Sequence, residues 1–435
     1  MTALISSSNY PLPVVHHARG VFIYDEFGKG YIDGSGGAMT VSIGHGVPEV
    51  LAAMNRQAKQ VCFTYRTHFT SAAAEELAAE IVALAPGDLN KVFFVNSGSE
   101  ATELSMRTAI QYWRERGEPT KTKILGRAIS YHGMTMGSLS MSGHAARRGD
   151  YSNLLHQFAV APPPYAYRFE VPDDGSFGAS VWERVIQEQG ADTIAAVIVE
   201  PVVGAAGGAL TPPIGYLRKL REICDRHSIL LIADEVITGM GRTGKWFGCE
   251  HDGIVPDIIA TGKGMSSGYT PMGGVIIRDG IVDVLGERVK LFGHTFSANP
   301  LSAATCLAVI RYMKERAILD NVAARSVQLE SGLKELSDSY PWMADVRGRG
   351  LLWGFEFVKD TATKEPIDAA RQPNMRFTQH CFDAGLIVYP AGIAPLNNSA
   401  LLAPPLVISA RETEELLYRL EIGLKRFGKE MGLPV

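Results

Sequence analysis

The stretch Ile229 Leu230 Leu231 Ile232 Ala233 Asp234 Glu235, answered downstream by Pro256 Asp257 Ile258 Ile259 Ala260 Thr261 Gly262 Lys263 Gly264, decides the fold. Each is a short apolar run that empties into polar residues at its carboxyl end. Consecutive apolar positions, many of them β-branched, are what strands buried on both faces require. Ahead of the first run, Tyr216, Leu217, Leu220, Ile223 and Cys224 fall on one face of a helix. Preceded by the apolar 195–199, this segment makes a βαβ unit.

The same alternation extends outward in both directions. Strands are expected at 92–95, 124–125, 195–199, 229–233, 258–260 and 274–277, with helices between them. This is the pattern of an α/β fold: a large domain with a mainly parallel sheet covered by helices. Past about Arg311 the chain changes to charged helices and short strands such as 350–358, an α+β character. The expected division is an amino-terminal segment 1–55 that joins the small domain through a hairpin-like 21–33, a large domain 56–310, and a small domain 311–435. Pro162 Pro163 Pro164 and the Pro/Gly/Asp-rich 171–178 read as a surface excursion without regular structure.

Bulk properties exclude several classes. With 435 residues, 46% hydrophobic and 20% charged, there is ample material for a large core. The net charge of −4, with dispersed basic residues, gives no footprint for nucleic acid or an anionic membrane. Cys62, Cys224, Cys249, Cys306 and Cys381 are scattered, without metal-ligand spacing, so the expectation is free thiols in a reducing cytoplasm and no metal. The amino terminus shows no secretory pattern, and the most apolar stretch, 194–210, is broken by Glu200, Pro201 and glycines, which argues against a membrane span.

In a parallel sheet, ligands bind beyond the carboxyl ends of the strands. There this chain carries Ser97 Gly98 Ser99, Tyr131 His132, Glu200, Asp234 and Lys263. An amine on a short loop and a carboxylate delivered by a buried strand are the two groups that hold pyridoxal phosphate and tune its electronics. Glycines on both sides of Lys263 permit close approach of backbone to ligand. Lysines beside glycines are usually solvated turn residues, and an acid after a strand often caps a turn, so neither residue decides alone. Glu235 reads as a packing or local hydrogen-bonding residue. Asn96 Ser97 Gly98 Ser99 Glu100 opens a helix whose free backbone donors suit a phosphate, although Ser and Gly at such a start are commonly just caps. Tyr131 could lie over a flat cofactor, and a buried aromatic at a strand end is the plain alternative. Glu200 is an acid at a strand end whose partner spacing does not name.

Together these segments resemble one family, the class III or ω-aminotransferases among fold type I pyridoxal phosphate enzymes. The matching segments are VFFVNSGSEATE, SYHG, IVEPVVG, LLIADEVITGMGRTGKWFG with PDIIATGKGMSSG, and GHTFSANPLSAA, and the likeness spans about 21–405. It implies a seven-stranded sheet, Lys263 as Schiff-base lysine, and Asp234 on the pyridine nitrogen. It places Ser97, Gly98 and Ser99 at the phosphate, Tyr131 and Val236 on the two ring faces, and His132 and Glu200 near the cofactor. Thr295 would reach the phosphate of a neighbouring subunit, implying a homodimer with shared active sites. The implied reaction moves an amino group from an amine or ω-amino acid to a 2-oxo acid such as pyruvate.

The chain departs from the family where substrate carboxylates are bound. The segment Leu401 Leu402 Ala403 Pro404 Pro405 has no preceding arginine, and Leu386 Ile387 Val388 is followed by Tyr389. Ile237 stands where ornithine-type members place a glutamine. Tyr65, Tyr389 and Trp246 suggest an aromatic pocket, and Arg66, Arg168 and Arg411 are alternative anion binders, each with a surface role as the plain alternative. A racemase, aminomutase or decarboxylase on the same scaffold is the nearest rival. A nucleotide hydrolase is remote, because Lys263 lacks the glycine spacing and the following Ser or Thr of a phosphate loop.

Overall fold

The computed structural model describes residues 3–5, 12–171, 174–286, 294–393 and 398–435. Its centre is a seven-stranded sheet in the spatial order Lys91–Val95, Gly273–Ile277, Ile258–Thr261, Leu230–Asp234, Ile194–Val199, Lys123–Arg127, Val160–Ala161. Neighbours from Ile258–Thr261 through to Val160–Ala161 pair in parallel, and Gly273–Ile277 runs antiparallel to both its partners. Every residue of Ile194–Val199 and Leu230–Asp234 is buried, which is why these strands are apolar on consecutive positions. The two-residue edge strand Val160–Ala161 is too short to leave a sequence pattern.

Helix Tyr216–Arg226 buries Tyr216, Leu217, Leu220, Ile223 and Cys224, the face its spacing predicts. They join Trp182, Phe247 and the strand residues Val197, Val199 and Leu231 in one apolar layer. Helix Gly98–Glu115 packs on the opposite side through Ala101, Leu104, Ala109 and Trp113, together with Ile198 and Ile232.

A second sheet, in the order Met343–Arg349, Leu352–Asp360, Ser399–Leu402, Tyr389–Ala391, lies in the carboxyl-terminal part. The strand expected at 350–358 forms two residues later, because Gly350 takes a left-handed conformation (φ 61°) and makes the turn. Phe355, Phe357, Phe377 and Phe427 stack at its centre, beside helices Pro373–Asp383 and Ala410–Met431. Val21, in the turn between the first two strands of the amino-terminal three-stranded sheet, and Ile32, in its third, pack into this same core, and Ile32 bridges Leu386. Helix Pro300–Glu315 serves both cores, with Ala303, Cys306, Leu307 and Ile310 on one side and Val309 and Met313 on the other. Trp246 packs against both of these cores rather than lining an aromatic pocket.

The excursion read at 162–164 and 171–178 differs from expectation. It has no regular structure, but Pro163, Pro164 and Tyr165 are buried. The Tyr165 hydroxyl donates to the buried carboxylate of Glu356, which also receives Arg168, and Arg347 lies 4.9 Å from the Tyr165 ring. The burial follows from a charged network with residues more than 180 positions away, which no local pattern announces. Pro172 and Asp173 lie outside the described residues.

All five cysteines are free, four of them buried. Among the described residues no helix is long and apolar enough to cross a membrane, and no cluster of His, Cys, Asp and Glu is arranged to hold a metal ion.

Candidate active site

The carboxyl ends of the parallel strands converge on a cavity of about 170 Å³. Its wall is made by Gly98 and Ser99, Tyr131 to Gly133, Glu200, Asp234, Val236, Ile237 and Lys263. Residues spread over 165 positions meet here because each follows, or ends, a strand of the same sheet.

Asp234 is the last residue of its strand and is buried. Oδ2 sits 2.7 Å from His132 Nδ1, and Oδ1 accepts the Val236 backbone N–H at 3.1 Å. Nε2 of His132 is buried without a hydrogen-bond partner. Glu235 faces away from this pair and accepts from the Thr238 hydroxyl and the Gly248 and Cys249 amides, the local bonding its position suggests.

Lys263 opens the turn that follows strand Ile258–Thr261. Its Nζ donates to the Ala38 carbonyl at 2.8 Å. Burial pushes its ammonium down to about 8, opposed by the Asp234 and Glu200 carboxylates and reinforced by Arg147 and Arg242. The strained backbone falls on the lysine itself, at φ 37°, whereas Gly262 is extended. Glycine is required at the other neighbour: a Cβ on Gly264 would lie 2.8 Å from Ser42 Oγ. That close approach lets Ser267 Oγ accept from the amides of Ser42 and Ile43, docking the loop that carries Ala38.

Glu200, whose partner spacing left open, accepts from the Tyr131 and Gly204 amides at 3.0 and 2.9 Å. Desolvation pushes its carboxyl up, and neighbouring Asp234 pushes it further while His132 opposes. Its role here is to fix the backbone that presents Tyr131. At the other wall, Ser97 Oγ caps helix Gly98–Glu115 by accepting from Glu100 N, and Ser99 Oγ accepts from Met134 N. A Cβ on Gly98 would lie 2.7 Å from Val236, and one on Gly133 would lie 2.6 Å from Ser99 Oγ. Both glycines are the space of the cavity.

Other expected residues lie elsewhere. Ser97 does not line the cavity, Tyr65 is exposed and contacts His68, and Arg411 stands exposed on the first turn of the last helix. Thr295 is exposed and outside the cavity of its own chain; Gly293, in the same GHTF segment, lies outside the described residues. Tyr389 packs beside Ile237, Ala205 and Ala391 next to the cavity. Arg168 is spent on Glu356. Sequence reading passed over Ala38, whose carbonyl contact depends on a fold 225 positions apart, and Arg242, visible only as the arginine of the GRTG segment. Arg242 is buried and donates to Leu351, Pro404 and Val41 carbonyls, tying three segments around the site.

The cavity fits pyridoxal phosphate: a buried carboxylate at one end, an amine with a lowered proton affinity, a helix amino terminus, and two glycines that leave room between Val236 and Ser99.

Comparison with known proteins agrees. The family model described as "Aminotransferase class-III" matches residues 5–423. The chain is 42% identical over 419 residues to the uncharacterized aminotransferase YodT of Bacillus subtilis, covering 94% of each chain. It is 37% identical to the putrescine–pyruvate aminotransferase of Pseudomonas aeruginosa, over 93% of this chain and 88% of that one. Among solved structures, a pyridoxal phosphate-bound amine transaminase from an uncultivated Pseudomonas species superposes with a TM-score of 0.92 at 32% identity, covering 98% of this chain and 97% of that one.

Proposed function

The chain belongs to the class III aminotransferases, pyridoxal phosphate-dependent enzymes of fold type I, and from that premise we propose that it passes the amino group of a primary amine or ω-amino acid to pyruvate or a similar 2-oxo acid through the Lys263 cavity. The likeness to a putrescine–pyruvate aminotransferase supports that donor and acceptor class.

The observation that carries the reading is the meeting of Lys263, Asp234 and the Gly98–Ser99 helix terminus at one cavity. Lys263 is the amine that would hold the coenzyme and the base placed to move a proton at the amine-bearing carbon of the substrate. Its lowered proton affinity keeps part of the population neutral near pH 8, as a base at that carbon requires. Asp234, oriented by His132 and the Val236 N–H, would hold the pyridine nitrogen in its protonated form. The Gly98 and Ser99 amides, with the dipole of a helix capped by Ser97, would hold the phosphate. Tyr131 and Val236 would confine the ring between them. Bound pyridoxal phosphate supplies the electron sink that makes the substrate carbon acidic.

Thr295 is exposed on its own chain, and beside it in sequence Phe296 forms an exposed apolar pair with Phe63, their rings 5.8 Å apart. Both features support a homodimer in which Thr295 contributes to the partner's phosphate site. The free cysteines support a reducing compartment, the cytoplasm.

Adding an amine donor alone to the holoenzyme tests the reading. The bound cofactor's absorbance is expected to shift to the blue while one equivalent of aldehyde or ketone appears. An unchanged spectrum across a broad donor panel refutes it. Borohydride reduction followed by peptide mapping is expected to label Lys263; Lys263→Ala is expected to retain the cofactor yet lose turnover by orders of magnitude.

A further inference from the structure

A 2-oxo acid brings a carboxylate into a cavity that already holds two acids, Asp234 and Glu200. Binding it there requires a cation other than Lys263, which is committed to the chemistry. Two guanidinium groups act on Lys263, those of Arg147 and Arg242. Arg242 is buried with its nitrogens given to three carbonyls, so it has no fork to offer.

Arg147 is different. It stands on the short turn Ala145–Arg148 with its guanidinium carbon 4.4 Å from the centre of the Tyr131 ring, a ring that forms part of the cavity wall. Among the described residues no carboxylate lies within ion-pair distance of it. Its guanidinium interacts with the Tyr131 side chain and makes one long contact, 3.8 Å, from Nη1 to Met134 Sδ. The adjacent Arg148 shows the contrast, donating to the carbonyls of Leu139, Ser140 and Ser142. The turn is pressed onto the end of the neighbouring strand: a Cβ on Gly143 would lie within 2.3 Å of the Arg127 and Ala128 carbonyl oxygens. That contact, possible only for glycine, fixes Arg147 over Tyr131. His144 beside it adds no competing charge, since burial and Arg147 push its imidazole down to about 4.

Resting on the transaminase reading above, we propose that Arg147 binds the carboxylate of the 2-oxo acid acceptor, its fork stacked on Tyr131 and open to the anion. A cation on an aromatic face keeps its in-plane N–H groups available, and a guanidinium meets a carboxylate with two parallel bonds. Arg147 thus adds a cation on the Tyr131 ring, while the Glu200 carboxylate below is committed to the Tyr131 and Gly204 amides. An acceptor enters with its carboxylate toward Arg147 and its carbonyl toward Lys263.

The test compares Arg147→Gln and Arg147→Lys with the wild-type holoenzyme, using pyruvate and butanal, an acceptor without a carboxylate, and the amine that wild type turns over fastest. For Arg147→Gln the pyruvate KM is expected to rise about 10- to 100-fold, the loss of a charge-assisted bidentate contact, and the butanal KM at least tenfold less. Arg147→Lys is expected to fall between. A pyruvate KM unchanged in Arg147→Gln, or equal losses with both acceptors, overturns the proposal. Melting temperature and bound-cofactor absorbance monitor folding independently. A wild type that transfers no amino group between any donor and acceptor refutes the underlying transaminase reading, and the proposal with it. An active wild type with an indifferent Arg147 refutes the proposal alone.

Discussion

His132 Nδ1 lies 2.7 Å from Asp234 Oδ2, and both side chains are buried. The contact joins the segment after strand Lys123–Arg127 to the end of strand Leu230–Asp234, so the orientation of the carboxylate depends on two strands at once. A buried acid held, among the described residues, by one other donor, the Val236 amide, has little to replace a lost partner.

His132→Phe keeps a ring of similar breadth and removes the hydrogen bond to Asp234. Pyridoxal phosphate affinity of the apoenzyme, measured by absorbance titration, is expected to weaken about 10- to 100-fold, corresponding to roughly 1–3 kcal/mol for a buried acceptor left short of a donor. An unchanged affinity contradicts the orienting role.

The lowered proton affinity of Lys263 has a direct kinetic signature in the apoenzyme. Desolvation disfavours the ammonium, so the neutral amine accumulates as pH rises through about 8 rather than through the ordinary lysine value of 10.5. Only the neutral amine attacks an aldehyde. The rate of cofactor capture is expected to climb between about pH 7 and 9 and then level, and stopped-flow absorbance across pH 6.5 to 11 follows it. A rate still climbing steeply near pH 10 contradicts the depressed value.

Gly98→Ala places a methyl 2.7 Å from Val236 Cγ1. Overpacking of this kind costs about 1–3 kcal/mol, and here it narrows the cavity proposed to take the cofactor. Cofactor affinity is expected to fall about 10-fold or more, and the double variant with Val236→Ala is expected to recover most of it. Equal losses in the single and double variants show that the methyl acts elsewhere.

The carboxylate of Glu356 is buried and receives Arg168, the Tyr165 hydroxyl and Asn398 Nδ2. Arg168→Met leaves that charge without its cation, at a cost of about 3–5 kcal/mol. Calorimetry is expected to show a melting temperature lower by roughly 3–6 °C. Adding Glu356→Gln is expected to restore part of the loss, since the uncompensated charge is then gone. A single variant that melts with the wild type removes the network from the stabilising contacts.

The core sheet was legible because its signals are local. Strands Ile194–Val199 and Leu230–Asp234 declare themselves by unbroken apolar runs, and helix Tyr216–Arg226 by its buried face, since side-chain periodicity is set by backbone geometry alone. Asp234, Lys263 and Gly98 stood out because each sits where such a run ends. Of the two flanking glycines, Gly264 does permit a close approach, but to Ser42, a residue 222 positions earlier, and the left-handed backbone falls on Lys263 itself. Tyr65 and Arg411 rest on residue type alone, and residue type carries no position in space; both are exposed and away from the cavity of their own chain.

By itself the sequence determined the order of strands and helices, the α/β class and the groups that end each strand, because these follow from hydrophobic period and turn chemistry within a few residues. Tertiary structure alone decided which of those groups meet. The Ala38 carbonyl on Lys263, His132 on Asp234, the Glu200 carboxylate under Tyr131 and Arg147 over its ring all join segments brought together by sheet pairing and loop docking. Contacts of that kind are fixed by the packing of the whole chain, and no stretch of a dozen residues contains them.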